Sequence, residues 1–302
     1  MAEPIGPPLG PPLGPPIGPA IARQRVHTRL RELRRELNLP AAAVAEAMRW
    51  SIPKLNRIEN GRVTIEPIAV KALLEYYGVT DADEIERLMD LSETSRERPW
   101  WRDRVLSDEF REFVAYEDEA SHLYAYQASF VPGLLQTAEY AAAITSLIRG
   151  TPPGDPGATE VVDVRMKRQE SLFHRLDSEN PPALTHAMDE AVLLRRVGGD
   201  RVMAGQLDHL LALAARPTVQ LVVLPLSLPG HPGLGGNFEL LEFGGDEDSD
   251  IVFIESPTSE FILRDEQDSV RIRRVMRALL ETGLSGDAAI RAITMIRRSV
   301  RS

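Results

Sequence analysis

The chain has 302 residues, 43% hydrophobic and 26% charged, with 35 Lys and Arg against 45 Asp and Glu and a formal net charge of −10. That balance describes one or two globular domains and excludes a collagen-like or wholly disordered chain. It contains no cysteine, which excludes disulfides and thiolate metal sites.

No apolar run reaches the ~18 residues of a membrane span, and the opening "MAEPIGPP" lacks a basic region followed by an apolar one. A cytoplasmic protein with no membrane partner is expected. Residues Pro4 to Pro19 repeat a P-[IL]-G-P unit four times, and no such unit can bury a helical or strand face. Residues 1–19 therefore read as a disordered tail leaning towards polyproline II.

From residue 20 the pattern turns helical. Ile21, Val26, Leu30, Leu33 and Leu37 stand at helical spacing. "PAAAVAEAMRW" gives a short second helix with Pro40 in its first turn. The third lies in "MRWSIPKLNRIENGR". There Ser51 can cap, Pro53 takes the second helical position, and Gly61 supplies the left-handed residue that ends a helix over about 52–60. Leu55 and Ile58 face inward, leaving Lys54, Asn56 and Arg57 free. "IEPIAVKALLEYYGV" is a fourth helix, begun by Glu66-Pro67 and stopped by Gly78. "TDADEIERLMDL" is a fifth, with acids in its first turn. The spacing predicts an all-helical domain over 20–92.

Charge is concentrated in that domain. Between Ala20 and Gly78 eleven Arg and Lys oppose six Glu, a net of +5 within an acidic chain. A short anchored helix offering Lys, Asn and Arg suits the major groove. Arg bonds guanine in a fork, Asn does the same with adenine, and Lys reaches guanine or phosphate. The tight connection "RWS" to the preceding helix matches helix-turn-helix geometry. Double-stranded DNA is the expected partner.

Residues 93–302, after a linker over about 93–102, read as a mixed domain. "SDEFREFVAYEDEA", "LLQTAEYAAAITSLI", "ATEVVDVRMKRQESLFHRL" and "GDRVMAGQLDHLLALAAR" are helix-like. "PALTHAMD", "TVQLVVLPL", "NFELLEF" and "DIVFIES" are strand-like, with "GGDEDS" as a hairpin loop. Helices over about 265–281 and 285–299 close the chain. The fold class is mainly α, with an α+β second domain holding a small antiparallel or mixed sheet.

Enzymatic chemistry finds little footing. "GHPGLGGNF" lacks both phosphate-binding glycine spacings and reads as a flexible loop entering a strand. Asp246, Asp248 and Asp250 alternate like the start of a calcium loop, but Ile251 and Pro257 stand where Gly and Glu are needed. That segment reads as a solvated hairpin tip. His186 and Glu190 are four apart, yet His186 falls in a strand. Trp100, Trp101, Tyr116, Tyr124, Tyr126 and Tyr140 read as core rather than pocket, and Arg165, Lys167, Arg168 and Gln169 as a solvated helix face. A binder with no cofactor, no metal and no catalytic residue is expected, not an enzyme.

Two resemblances extend this reading. "LRELRREL-NLPAAAVAEAMRWSIPKLNRIENGR" followed by "EPIAVKALLEYYGV" resembles the Cro/repressor-type (XRE) helix-turn-helix, whose recognition helix carries S-x-x-K-[IL]-x-R-[IL]-E-N-G. The resemblance implies that Ile52, Pro53 and Arg57 face bases. It places Ser51, Lys54 and Asn56 at the groove edge or on phosphates, Arg49 and Arg62 on phosphates, and Glu59 as a helix-internal structural partner. Such proteins often open the second helix with Ser-Gln, where this chain has Pro40-Ala41. That departure implies a lost phosphate contact and greater reliance on first-helix arginines or on dimerisation. From about Trp100 onward, "FVPGLLQTAEYAAAI", "VRMKRQ", "DEAVLLRRVGG", "QLDHLLALA" and "VVLPLSLPGHPGLGGNFELLEF" resemble the large C-terminal domain of WhiJ-like, antitoxin-like actinobacterial regulators. The resemblance implies a transcriptional regulator, often encoded beside a small acidic partner protein. Taken together, sequence and resemblance point to a nucleoid-associated homodimer on paired half-sites, with activity set through residues 93–302. An antitoxin-like module holding a small acidic partner protein, and a sensor of an unknown small-molecule effector with DNA output, remain the alternatives.

Overall fold

A computed structural model describes residues 17–97, 100, 101, 104, 106–244, 250–256 and 258–300. Two compact units divide near residue 98. The proline repeat up to residue 16 lies outside the described residues.

The first unit is five helices: α1 (Pro19–Glu36), α2 (Ala41–Ala47), α3 (Ile52–Glu59), α4 (Pro67–Tyr76) and α5 (Ala82–Thr94). One core joins them, with Val26, Leu30 and Leu33 meeting Val44, Leu55, Ile58, Leu73, Leu74 and Leu88. Each boundary has a local cause. Pro19, Pro53 and Pro67 sit in first turns, where their missing N–H costs nothing. Asp81 Oδ1 accepts from the amides of Asp83 and Glu84 and so caps α5. Gly78 turns the chain after α4 at φ 76°. Leu37, at helical spacing with Leu30 and Leu33, is the C-cap that ends α1 and is exposed, whereas the other four residues of that series are buried. An Arg29–Glu84 ion pair of 2.6 Å fastens α1 to α5.

The second unit is built on a seven-stranded mixed sheet. In chain order it runs α6 (Asp108–Glu117), β1 (His122–Gln127), α7 (Ala138–Arg149), α8 (Pro156–Leu176), β2 (Ala183–Asp189), α9 (Glu190–Leu194), α10 (Asp200–Leu213) and β3 (Val219–Leu224). There follow β4 (Phe238–Glu242), β5 (Ile251–Glu255), β6 (Glu260–Leu263), α11 (Glu266–Thr282), β7 (Leu284–Ser285) and α12 (Asp287–Ser299). Strand order is β6-β5-β4-β1-β2-β3-β7. The β1–β2 and β2–β3 pairs are parallel, their crossovers carrying helices, and the other pairs are antiparallel. The four expected strands are present, and β1, β6 and β7 join them unforeseen. One sheet face packs Tyr126, Val222, Leu224 and Phe238 against Met276 and Leu279 of α11. The other meets α6, where Phe113 stacks on Phe253 of β5 at 4.1 Å.

Several expectations for this unit are corrected. The α8 face is not solvated. Arg168 and Gln169 are buried, Arg165 bonds Gln136 and Thr145, and Lys167 alone of the four is exposed. The reason lies far along the chain: Arg168 forms a bidentate ion pair with Glu117 of α6 and lies over the Phe110 and Phe113 rings. Glu239 of β4 lies beside that pair, between Ala125 and Phe253 on the sheet. Desolvation, with Glu117 and Glu255 nearby, pushes its carboxyl up to about 8. One guanidinium serves two carboxyl groups, and Glu117 holds it.

The glycine-rich loop is not loose either. Residues Pro232–Gly235 form a 3-10 turn, and a Cβ on Gly233 would stand 2.6 Å from the Tyr126 ring. Tyr116, Tyr126 and Tyr140 are core residues, and the Tyr140 hydroxyl accepts from the Val131 amide. His186 lies in β2, fully desolvated, while the Glu190 carboxylate accepts from the Leu226 amide. The hairpin tip carrying Asp246 and Asp248 is outside the described residues, and Asp250 pairs with Arg273. Among the described residues, no helix is long and apolar enough to cross a membrane.

Candidate nucleic-acid interface

The interface is assembled from the turn before α3. After Ala47 the chain passes through Met48, Arg49 and Trp50. Arg49 takes φ 54°, which lets the Trp50 amide donate to the Ala45 carbonyl at 2.7 Å. A residue with a Cβ in that left-handed region costs roughly 1–2 kcal/mol, so a charged residue here is not the choice stability alone would make.

Ser51 then caps α3, its Oγ accepting from the Lys54 amide at 3.3 Å. The helix closes through Asn60 to Gly61 at φ 68°. Its inner face is Leu55 and Ile58, 0% and 2% exposed, together with Glu59. Glu59 accepts from Arg34 Nε at 2.5 Å and Nη2 at 2.7 Å, while Arg34 Nη1 donates to the Leu39 carbonyl at 3.0 Å. That hydrogen bond to Glu59 raises the Arg34 pKa. The partner of Glu59 is therefore on α1 and not within its own helix, which corrects the expectation. This guanidinium joins α1, α3 and the turn after α1, and so sets how α3 stands on the core.

Arg49, Ser51, Ile52, Pro53, Lys54, Asn56, Arg57 and Arg62 are all exposed. At about 100° per residue, with Leu55, Ile58 and Glu59 inward, Pro53 and Arg57 form the outer crest. Ile52 and Asn56 share one shoulder. Lys54 stands on the other, its Nζ 4.5 Å from the centroid of the Trp50 ring. None of Arg49, Lys54, Arg57 and Arg62 has a carboxylate partner among the described residues. The N-terminus of α2 carries no side-chain cap, as Pro40 dictates.

Two contributors escaped the sequence reading. Arg34 looked like one more arginine on an amphipathic helix, and nothing local linked it to Glu59, 25 residues on. Trp50, within the "RWS" connection, has no role in that reading. Its spacing of four from Lys54 was the available signal.

Residues 28–98 match the family described as a helix-turn-helix domain. Residues 110–295 match the family described as a domain of unknown function (DUF5753). No curated protein and no solved structure matches the chain. With a helix-turn-helix domain ahead of a match that spans more than half its length, the chain belongs to the DUF5753 family.

Proposed function

We propose that the protein is a sequence-specific transcriptional regulator of the XRE type that binds double-stranded DNA with α3 in the major groove. The observation that carries this is the disposition of α3. A capped helix is fixed by Leu55, Ile58 and the Arg34–Glu59 pair, and it turns Lys54, Asn56 and Arg57 outward. Arg49 and Arg62, exposed at its two ends, are the phosphate contacts in this reading. One such helix reads only a few base pairs, so a homodimer on two half-sites about one DNA turn apart completes the reading. The second unit, as in the WhiJ-like resemblance, sets activity from within the cytoplasm, and no catalytic step is assigned to it.

The test is fluorescence anisotropy of the full chain on the gene's own upstream duplex and on a scrambled duplex of equal composition. Tighter binding to the upstream duplex supports a sequence reader. Equal affinity for both removes sequence specificity, and no binding to either removes the reading.

A second reading, control of DNA binding by a ligand or small acidic partner, rests on one surface of the second unit. A groove of about 950 Å³ between α7 and the start of α10 is lined by Leu147, Val202, Glu139, Arg195, Arg196 and Arg201, of which Arg201 pairs with Glu139 and Arg196 with Asp200. Leu147 is 69% exposed there. An effector acting through this groove would change DNA affinity in the wild type and not in an Arg195→Glu, Arg201→Glu variant.

A further inference from the structure

This inference rests on the proposed DNA-reading role of α3 and specifies what its first turn reads. The two residues that open α3 are apolar and exposed: Ile52 is 46% accessible, and Pro53 follows it. An isoleucine left in water beside a complete helix cap is not needed by the core, which already holds Leu55 and Ile58 at 0% and 2%. Recognition helices of this motif contact base edges through their N-terminal residues. Of the major-groove edges, only thymine presents an apolar group, its C5-methyl.

The periodicity of the helix orders these contacts. Ile52 and Asn56 stand one above the other on one shoulder, and Pro53 and Arg57 on the crest. The exposed face therefore has an apolar rung at its N-terminal end and a hydrogen-bonding rung one turn later. A turn rises about 5.4 Å, against about 3.4 Å per base along a DNA strand. The two rungs thus address bases one or two steps apart.

We infer that α3 reads a thymine methyl with Ile52 and Pro53, next to or one base removed from the guanine or adenine bonded by Arg57 or Asn56. The recognised half-site then contains a thymine whose methyl group, and not only its hydrogen-bonding edge, sets affinity. Cytosine and uracil at that position lack the methyl that an isoleucine side chain can cover.

The experiment is methyl deletion. The full chain selects its site from randomised duplexes, and each thymine of that site is then replaced singly by deoxyuridine, which removes the methyl and keeps every hydrogen bond. Burial of one methyl corresponds to about fourfold in affinity. The expected result is a loss of about that size at one thymine per half-site, within two base pairs of an essential guanine or adenine. In Ile52→Ala the same replacement changes affinity by less than about twofold, a coupling that a purely structural role for Ile52 does not produce. The wild-type measurement alone can overturn the inference even if the variant folds poorly, and Ile52→Val, one methylene shorter, then serves as the folded variant in which the effect should shrink. Selection of a site in which every deoxyuridine replacement is silent overturns the inference and leaves the DNA-reading role standing. A loss at some thymine that persists unchanged in folded Ile52→Ala assigns that methyl to another residue and also overturns it. Failure to select any site removes the DNA-reading role itself.

Discussion

Replacing Glu59 with alanine tests whether that residue builds the interface or belongs to it. Its carboxylate is 6% exposed and receives two hydrogen bonds from Arg34, which is 18% exposed. Breaking a fully buried pair costs about 3–5 kcal/mol. Arg34 keeps its bond to the Leu39 carbonyl and part of its hydration, which lowers the cost to about 2–3 kcal/mol. In the opening equilibrium of α3 that is roughly 30- to 150-fold. Two units make whole-chain melting an ambiguous readout, so the assay is amide hydrogen exchange of the full chain, read on peptides of α1 and α3. Glu59→Ala should accelerate exchange there by that factor and leave the second unit unchanged. The double variant Arg34→Met, Glu59→Leu, apolar on both sides, should recover most of the protection. A carboxylate that instead lay against phosphates would give the opposite signature: intact protection and tighter DNA binding on removal. That outcome would refute the structural assignment of Glu59.

Arg49→Gly should separate folding from binding. Relief at φ 54° offsets the greater freedom of glycine when unfolded, giving a change between zero and about +1 kcal/mol in exchange protection of α2 and α3, while DNA affinity falls and the salt slope loses about one phosphate. His27, buried with its nitrogens unpartnered, is lowered to about 3 by desolvation and by Arg23 and Arg31. Its contribution is complete above pH 6.5 and is lost as pH falls towards 3, by about 1.4 kcal/mol per unit. His27→Leu should flatten that limb in pH-corrected exchange of α1. Glu239 has the opposite sign. It stays protonated in the fold while the unfolded chain ionises, so stability falls as pH climbs from about 4.5 to about 8. Glu239→Gln should stabilise the second unit at pH 8 by about 1–2 kcal/mol and leave it unchanged at pH 4, as read by pH-corrected amide exchange on peptides of β4 and α8.

The first unit was legible because its punctuation is local. Ser51, Pro53, Gly61, Glu66-Pro67 and Gly78 each fix a boundary through their own local chemistry, and those boundaries stand where expected, while Pro40 stands at the cap position just outside α2 rather than in its first turn. What the sequence hid was long-range. Arg168 sits on a helix whose charged run reads as solvated, and only Glu117, 51 residues earlier, draws it inward. Strand β1, "HLYAYQ", went unseen because both its faces are used. Leu123 and Ala125 pack on one side and Tyr126 on the other, so polar and aromatic residues blur its alternation. Strand β6 has only four residues at the sheet edge, too few for a period to show. The packing of Gly233 on Tyr126 likewise has no local sign, since the two lie more than a hundred residues apart.

The cations of this chain divide by whether a carboxylate answers them. Arg29 has Glu84, Arg34 has Glu59, Arg168 has Glu117, and Arg273 has Glu242 and Asp250. Those charges hold helices and strands together, and added salt has little purchase on the buried ones. Around α3 the four unanswered cations repel one another in the free protein, and a polyanion relieves that repulsion. If Arg57 reads a base, then Arg49, Lys54 and Arg62 remain for phosphates. Each neutralised phosphate contributes about −0.9 to the slope of log affinity against log salt, so one protomer should give about −2.7 and a dimer on two half-sites about −5.4. Anisotropy titrations on the selected site from low to physiological salt measure that slope directly. A value near −5.4, halving on a duplex with one half-site, fits a dimer in which α3 supplies the contacts. A slope near zero would mean that these exposed cations do not meet phosphate at all, and the placement of α3 in the groove would fall with it.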